Sequence, residues 1–291
     1  MVRFPNELFV FRLWMIAASF GGCLGCCCAL LSAQAVQFSP MPERDVPVLT
    51  AREHPWARYL PKSWVRTQTI TTSEHDGRNI RSITETMTTL DSVDQNGLTL
   101  KLVSTVDVGG RGGETPPQKK TLDFYSEPIR EGTKIEQLPS TTLTIDKQLI
   151  PCEVRSYVLL APELGPETKE RTTIWYSTQL HPHVLRVERV LTTVPTARAP
   201  DERVLSSSTT ELRGTDALRL RRSRDGKYTY RTITRTGDIT TDTVTSGSRL
   251  ITGGLEHEIV RELDRNGKVI RTMETRMINY YALTWASQRR N

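Results

Sequence analysis

The chain has 291 residues, with 39 Lys and Arg against 33 Asp and Glu and a net charge of +6. That balance is too mild for a nucleic-acid track, and no aromatic interleaving or nucleic-acid motif accompanies the basic residues. Aromatic residues make up only 7%, so no aromatic-lined groove is expected.

The first element is an apolar leader. Arg3 and Arg12 flank a start that is uncharged from Leu13 to Pro42, and Ala33-Gln34-Ala35 closes its apolar part. A basic start, an apolar run and small residues at −3 and −1 are the layout of a secretory signal peptide, cleaved here after Ala35. The chain is therefore read as a bacterial exported protein of the periplasm, cell envelope or exterior. Two other fates stay open for residues 1–35. The run is long enough to remain in the membrane as an anchor, with the arginines on the cytoplasmic side, although Gly21, Gly22 and Gly25 weaken such a helix. Alternatively Cys23 or Cys26, each preceded by glycine, is a lipidation point, and Phe20-Gly21-Gly22-Cys23 resembles a lipobox with Phe where Leu is usual. Cys23, Cys26, Cys27 and Cys28 have no His or acidic neighbour, so they read as small hydrophobic filler and not as metal ligands.

Cleavage removes Arg3, Arg12 and Glu7, which leaves 37 basic and 32 acidic residues and one cysteine, Cys152. With no internal disulfide the fold has to stand on its own core. Pro40, Pro42, Pro47, Pro55 and Pro61 make residues 36–62 an extended linker, and folded structure is expected from about Trp64.

Residues 63–286 read as one antiparallel β domain, with a tail at 287–291. In Leu98-Thr99-Leu100-Lys101-Leu102-Val103 the leucines share one face and Thr99 and Lys101 the other, a period of two. Threonine is abundant, and its β-branched hydroxyl side chain suits the solvated face of a sheet. Asp76-Gly77, Asn96-Gly97, Asp225-Gly226 and Asn266-Gly267 each separate two such runs and supply the positive φ of hairpin turns. The fold class is all-β: a meander of hairpins forming a large curved sheet, half-barrel or sandwich, behind an N-terminal apolar helix. Asp76 to Ile83 and Asn266 to Met273 match in type at seven of eight places, from either duplication or parallel selection for a basic hairpin. The breaks at 109–117 and 194–202 are loops, and the second is a candidate lobe boundary. The first is no phosphate loop, since Pro116-Pro117 and not a helix follows it.

Candidate chemistry is sparse. His181-Pro182-His183 is the strongest: imidazoles two apart on a strand share a face and can ligate a metal, with Glu153 and Glu188 available as a third ligand. The competing reading is a surface turn between Trp175-Tyr176-Ser177 and Val184-Leu185-Arg186. In Glu256-His257-Glu258 alternation puts the imidazole opposite its acidic neighbours. Cys152 sits in a strand-like run and, with Trp175, reads as a structural residue. Ser206-Ser207-Ser208 lacks a nucleophile elbow, and paired carboxylates for glycoside cleavage depend on spacing in three dimensions. Arg213, Arg219, Arg221, Arg222 and Arg224 read as a solvated hairpin that can also meet an anionic surface. Thr67, Thr69 and Thr71 form a short ladder without a fixed repeat.

The order Ile150-Pro151-Cys152-Glu153-Val154, Thr173-Ile174-Trp175-Tyr176-Ser177 and Val184-Leu185-Arg186-Val187-Glu188 resembles uncharacterised exported β-rich proteins of planctomycete-type bacteria. A fainter similarity is to periplasmic lipoprotein carriers, whose curved sheet holds acyl chains, although their covering helices are not evident in this sequence. Neither resemblance implies a catalytic residue. The sequence thus points to an exported envelope protein, more a binder than an enzyme, that takes a protein or lipid-like partner on its sheet and needs no cofactor. Its membrane contact would be the leader, if retained. The alternative is a metal-assisted hydrolase at His181 and His183.

Overall fold

A computed structural model describes residues 54–75, 78–94, 97–123, 134–160, 168–195, 201–219 and 226–284. The leader, with Cys23, Cys26, Ala33 and Ala35, lies outside the described residues. Five strands come first: β1 (Trp64–His75), β2 (Arg78–Val93), β3 (Gly97–Val108), β4 (Arg111–Glu114) and β5 (Gln118–Asp123). Then follow β6 (Ile135–Ile145), β7 (Gln148–Leu160), β8 (Thr168–Tyr176), β9 (Val184–Thr193) and β10 (Val204–Thr215). A four-residue helix, α1 (Asp216–Arg219), precedes β11 (Lys227–Thr236), β12 (Ile239–Ser248), β13 (Leu255–Leu263) and β14 (Val269–Tyr281).

All fourteen strands belong to one antiparallel sheet, ordered β4-β3-β2-β1-β14-β13-β12-β11-β10-β9-β8-β7-β6, with β5 also pairing with β3. The turn dipeptides fall between neighbours, as alternation requires: His75 pairs with Arg78 across Asp76-Gly77, and Asn96-Gly97 joins β2 to β3. Gly267, at φ +78°, closes the β13–β14 turn. Sequence order breaks twice, locally where β5 passes β4 to pair with β3 and over a long range where β1 pairs with β14. β9 and β10, on either side of the 194–202 loop, are hydrogen-bonded neighbours in this same sheet.

The sheet is not closed, yet it cannot be flat. From Asp123 on β5 to Ile135 on β6 the chain has twelve Cα steps, a reach of about 43 Å at full extension. Laid flat, the thirteen strands from β5 to β6 would set these edges about 58 Å apart at about 4.8 Å per spacing. The sheet therefore curls. The inner side is the face carrying Thr69, Met273, Val260, Thr243, Thr232 and Ile174, all buried and all linked through the strand registers. The outer face carries ion pairs such as Arg231 with Asp242 at 2.9 Å and Arg66 with Glu85, each worth about 0–1 kcal/mol at such exposure.

Two apolar clusters seal one end of the strands. Trp56, Tyr59, Val65, Leu90, Leu98 and Leu100 form the first. The second gathers Ile145, Cys152, Leu180, Leu185 and Leu212, with Trp175 and Tyr230 against it. The first cluster corrects the expected linker to residue 62. His54, Trp56, Tyr59 and Leu60 are buried, and backbone hydrogen bonds Leu60 N to Leu283 O and Lys62 N to Leu90 O, both 2.8 Å, tie the segment down. Pro55 and Pro61 bar regular strand here but not a packed turn. Threonine also departs from expectation, since many of its side chains line the sheltered face and not the solvated one.

Candidate functional site

His181 and His183 lie in the connection between β8 and β9, as the turn reading has it, joined by a cis His181–Pro182 bond. Their rings meet edge to face at 5.9 Å. His183 Nδ1 lies 2.6 Å from Leu180 O and 3.1 Å from Ser177 O, and so acts there as the donor nitrogen. The two carboxylates considered as third ligands are engaged elsewhere. Glu153 accepts from the Tyr176 hydroxyl at 2.5 Å, and Glu188 pairs with Arg186. Among the described residues no three of His, Cys, Asp and Glu gather to hold a metal ion. His257 points away from Glu258, as alternation requires, and meets Glu274 of β14 at 3.0 Å. Cys152 is buried; its thiol donates to Ile150 O at 3.2 Å, and burial pushes its pKa up.

The inner face carries the most organised chemistry. Starting on β7, Tyr157 stands opposite Thr172 of β8, Thr172 opposite Arg189 of β9, and Arg189 opposite Ser208 of β10. The same level continues through Thr234, Thr241, Glu262 and Arg271 on β11 to β14, and ends at Ser73 on β1. Nine adjacent strands thus contribute nine hydrogen-bonding side chains in one row, and the next residues outward are Ile135 and Ile80.

Neighbouring levels repeat the chemistry. Within the row itself Thr234 donates to Ser208 at 3.1 Å, and on neighbouring levels hydroxyls pair at 2.9 Å in Thr210–Thr232 and Thr69–Thr275 and at 3.0 Å in Ser206–Thr236. Thr245 donates to Glu258 at 3.0 Å, and burial raises that carboxyl's pKa against this hydrogen bond and the nearby His257 charge. Glu262 lies 3.7 Å from Arg271, and Glu170, one level above Thr172, lies 3.9 Å from Arg189. A hydroxyl offers one donor and two acceptors, so a hydroxyl pair leaves one donor and several lone pairs to spend. The Tyr157 hydroxyl is buried and has no hydrogen-bond partner among the described residues. Toward the hairpin tips the inner face becomes apolar again, with Ile80, Val108 and Ile239 exposed. A shallow cleft of about 450 Å³ lies between the β11–β12 and β13–β14 turns, bordered by Asp238, Asp264 and Arg265.

No family model matches the sequence, and no curated protein matches it. Among solved structures the chain is similar to one named for an outer membrane lipoprotein-sorting protein domain from Vibrio parahaemolyticus. The identity is 11%, with 81% of this chain and 89% of that chain covered at a TM-score of 0.33. It is also similar to one named for an exported protein with a YmcC-like fold from Bacteroides fragilis NCTC 9343. There the identity is 8%, with 77% and 98% covered and a TM-score of 0.26. The first name agrees with the fainter sequence resemblance, and nothing here supports the planctomycete-type one. At such TM-scores neither structure transfers a role.

Proposed function

We propose that this is an exported, non-enzymatic cell-envelope protein that binds a ligand or partner on the inner face of its curved sheet. The observation that carries the reading is the row of hydrogen-bonding side chains on a sheltered surface, where a hydroxyl pair such as Thr234–Ser208 keeps one donor and several lone pairs to spend. Groups with catalytic potential, by contrast, are occupied: the Cys152 thiol is buried and donating, His183 Nδ1 faces two carbonyls, and Glu153 and Glu188 are in pairs. The leader supports export, and the structured chain from His54 onward supports a domain that works free or tethered. The test is a thermal melt of the purified protein with an envelope extract split into lipid, glycan and protein fractions. A species that binds only the folded state raises the melting temperature in proportion to RT ln(1 + [L]/Kd). One fraction is expected to stabilise, and a panel of esters, glycosides and peptides is expected to remain intact. Stabilisation by none, or turnover abolished by one inner-face substitution, overturns the reading.

A further inference from the structure

From the nine-strand row we infer that the ligand is an oligosaccharide chain, lying across the strands on the inner face, either free or as the headgroup of a glycolipid. The inference rests on the binding role proposed above and names its chemistry. Three properties of the row select this class. Its side chains are hydroxyls at both ends and in the middle, with Arg189 between them on one side and Glu262 and Arg271 on the other, so it can donate and accept along its whole length. Vicinal sugar hydroxyls likewise donate and accept, and successive strands about 4.8 Å apart present partners at a spacing close to that of successive sugars.

Second, the charges alternate in sign. Arg189 sits with Glu170, and Arg271 with Glu262. A polyanion such as nucleic acid would meet the Glu262 carboxylate in the row and that of Glu170 one level beside it. An acyl chain would leave the remaining donor of each hydroxyl pair without an acceptor, whereas a sugar hydroxyl supplies one. An extended peptide would pair along a strand edge, not across a face.

Third, the Tyr157 hydroxyl, at one end of the row, is buried with the side chain 2% exposed and has no partner among the described residues. A buried polar group in that state is stabilised by any hydrogen-bonding group that reaches it. The direct neighbours at this end, Thr172 and Arg189, set where a sugar hydroxyl would meet it.

The experiment is native electrophoresis of the full exported chain through gels cast with dextran or glycol chitin. Flotation with phosphatidylcholine vesicles, with and without galactosyl diglyceride, runs beside it. Retardation by a polysaccharide, or flotation only with the glycolipid, is expected. Thr234→Val/Thr241→Val should weaken the apparent Kd about tenfold or more, in line with two lost hydrogen bonds at about 1 kcal/mol each. Tyr157→Phe removes a hydroxyl that holds none of the described residues, so it should fold as well as wild type and bind about fivefold more weakly. Arg231→Ala on the outer face should change nothing. The two arms separate a free chain from a lipid headgroup. No binding in either arm by protein with intact circular dichroism overturns the inference, as does binding that both inner-face variants leave unchanged. Equal flotation with plain vesicles also overturns it, while leaving the binding role standing.

Discussion

Folding strongly alters the chemistry of His54. Burial holds its imidazole neutral and pushes its pKa from 6.5 down to about 4, and its Nδ1 accepts from the Trp56 backbone N–H at 3.3 Å. The unfolded chain protonates this group first, so its contribution is intact above pH 6.5 and is withdrawn as the pH falls toward 4. The full loss is about 3 kcal/mol, and about 2 kcal/mol of it is gone by pH 5. Urea unfolding of wild type and His54→Asn at pH 7 and pH 5 should show the wild type losing that much more than the variant. Cys152 makes a second expectation at this scale. Its neutral, buried thiol should react with a disulfide reagent at pH 8 at least tenfold more slowly in the native protein than in urea. Equal rates would return it to the list of nucleophiles.

At the scale of elements, hairpins were legible because their signals are local. Alternation in Leu98 to Val103 and the Asp-Gly and Asn-Gly pairs are read within ten residues of chain. The inner row was not legible, because it is a property of register between nine strands. Thr232-Ile233-Thr234 and Thr241-Asp242-Thr243 show alternate hydroxyls, but nothing in either segment says that they share a level or face inward. The packing of Trp56 and Tyr59 was hidden by flanking prolines, which exclude strands without excluding burial. His181-Pro182-His183 shows the opposite limit, since imidazoles close in sequence reach one another in the fold without gathering a third ligand among the described residues. Elements also depend on close approach at β12. A Cβ on Gly247 would lie 2.5 Å from Gly254 O and 2.5 Å from the Tyr228 ring. Gly247→Ala should therefore cost about 2–3 kcal/mol through overpacking. Gly237→Ala, at φ +56° in open space, should cost only about 1 kcal/mol. Thermal melts of the two variants rank them, and the reverse order would mean that the β12–β13 loop yields.

For the whole molecule, apolar burial is concentrated at one end of the sheet and hydrogen bonding at mid-height. The fold is thus anchored at its base and chemically open on its inner wall. The base is also where the first and last described segments meet: Trp64 pairs with Tyr281, their rings stacked at 6.5 Å, and Tyr59 bridges to Thr284. The seam between β1 and β14 closes across more than two hundred residues, while every other neighbouring pair is close in sequence. Late, distant pairings of this kind slow folding, because loop entropy is lost before the contacts form. A circular permutant, with His54 joined to residue 284 by a short linker and new ends opened between β5 and β6, would turn the sheet into an unbroken meander. Stopped-flow refolding of that permutant should be several-fold faster than that of the native order, at similar stability. The long-range seam of β1 with β14 is therefore a kinetic feature of a sheet whose pairing does not itself require it.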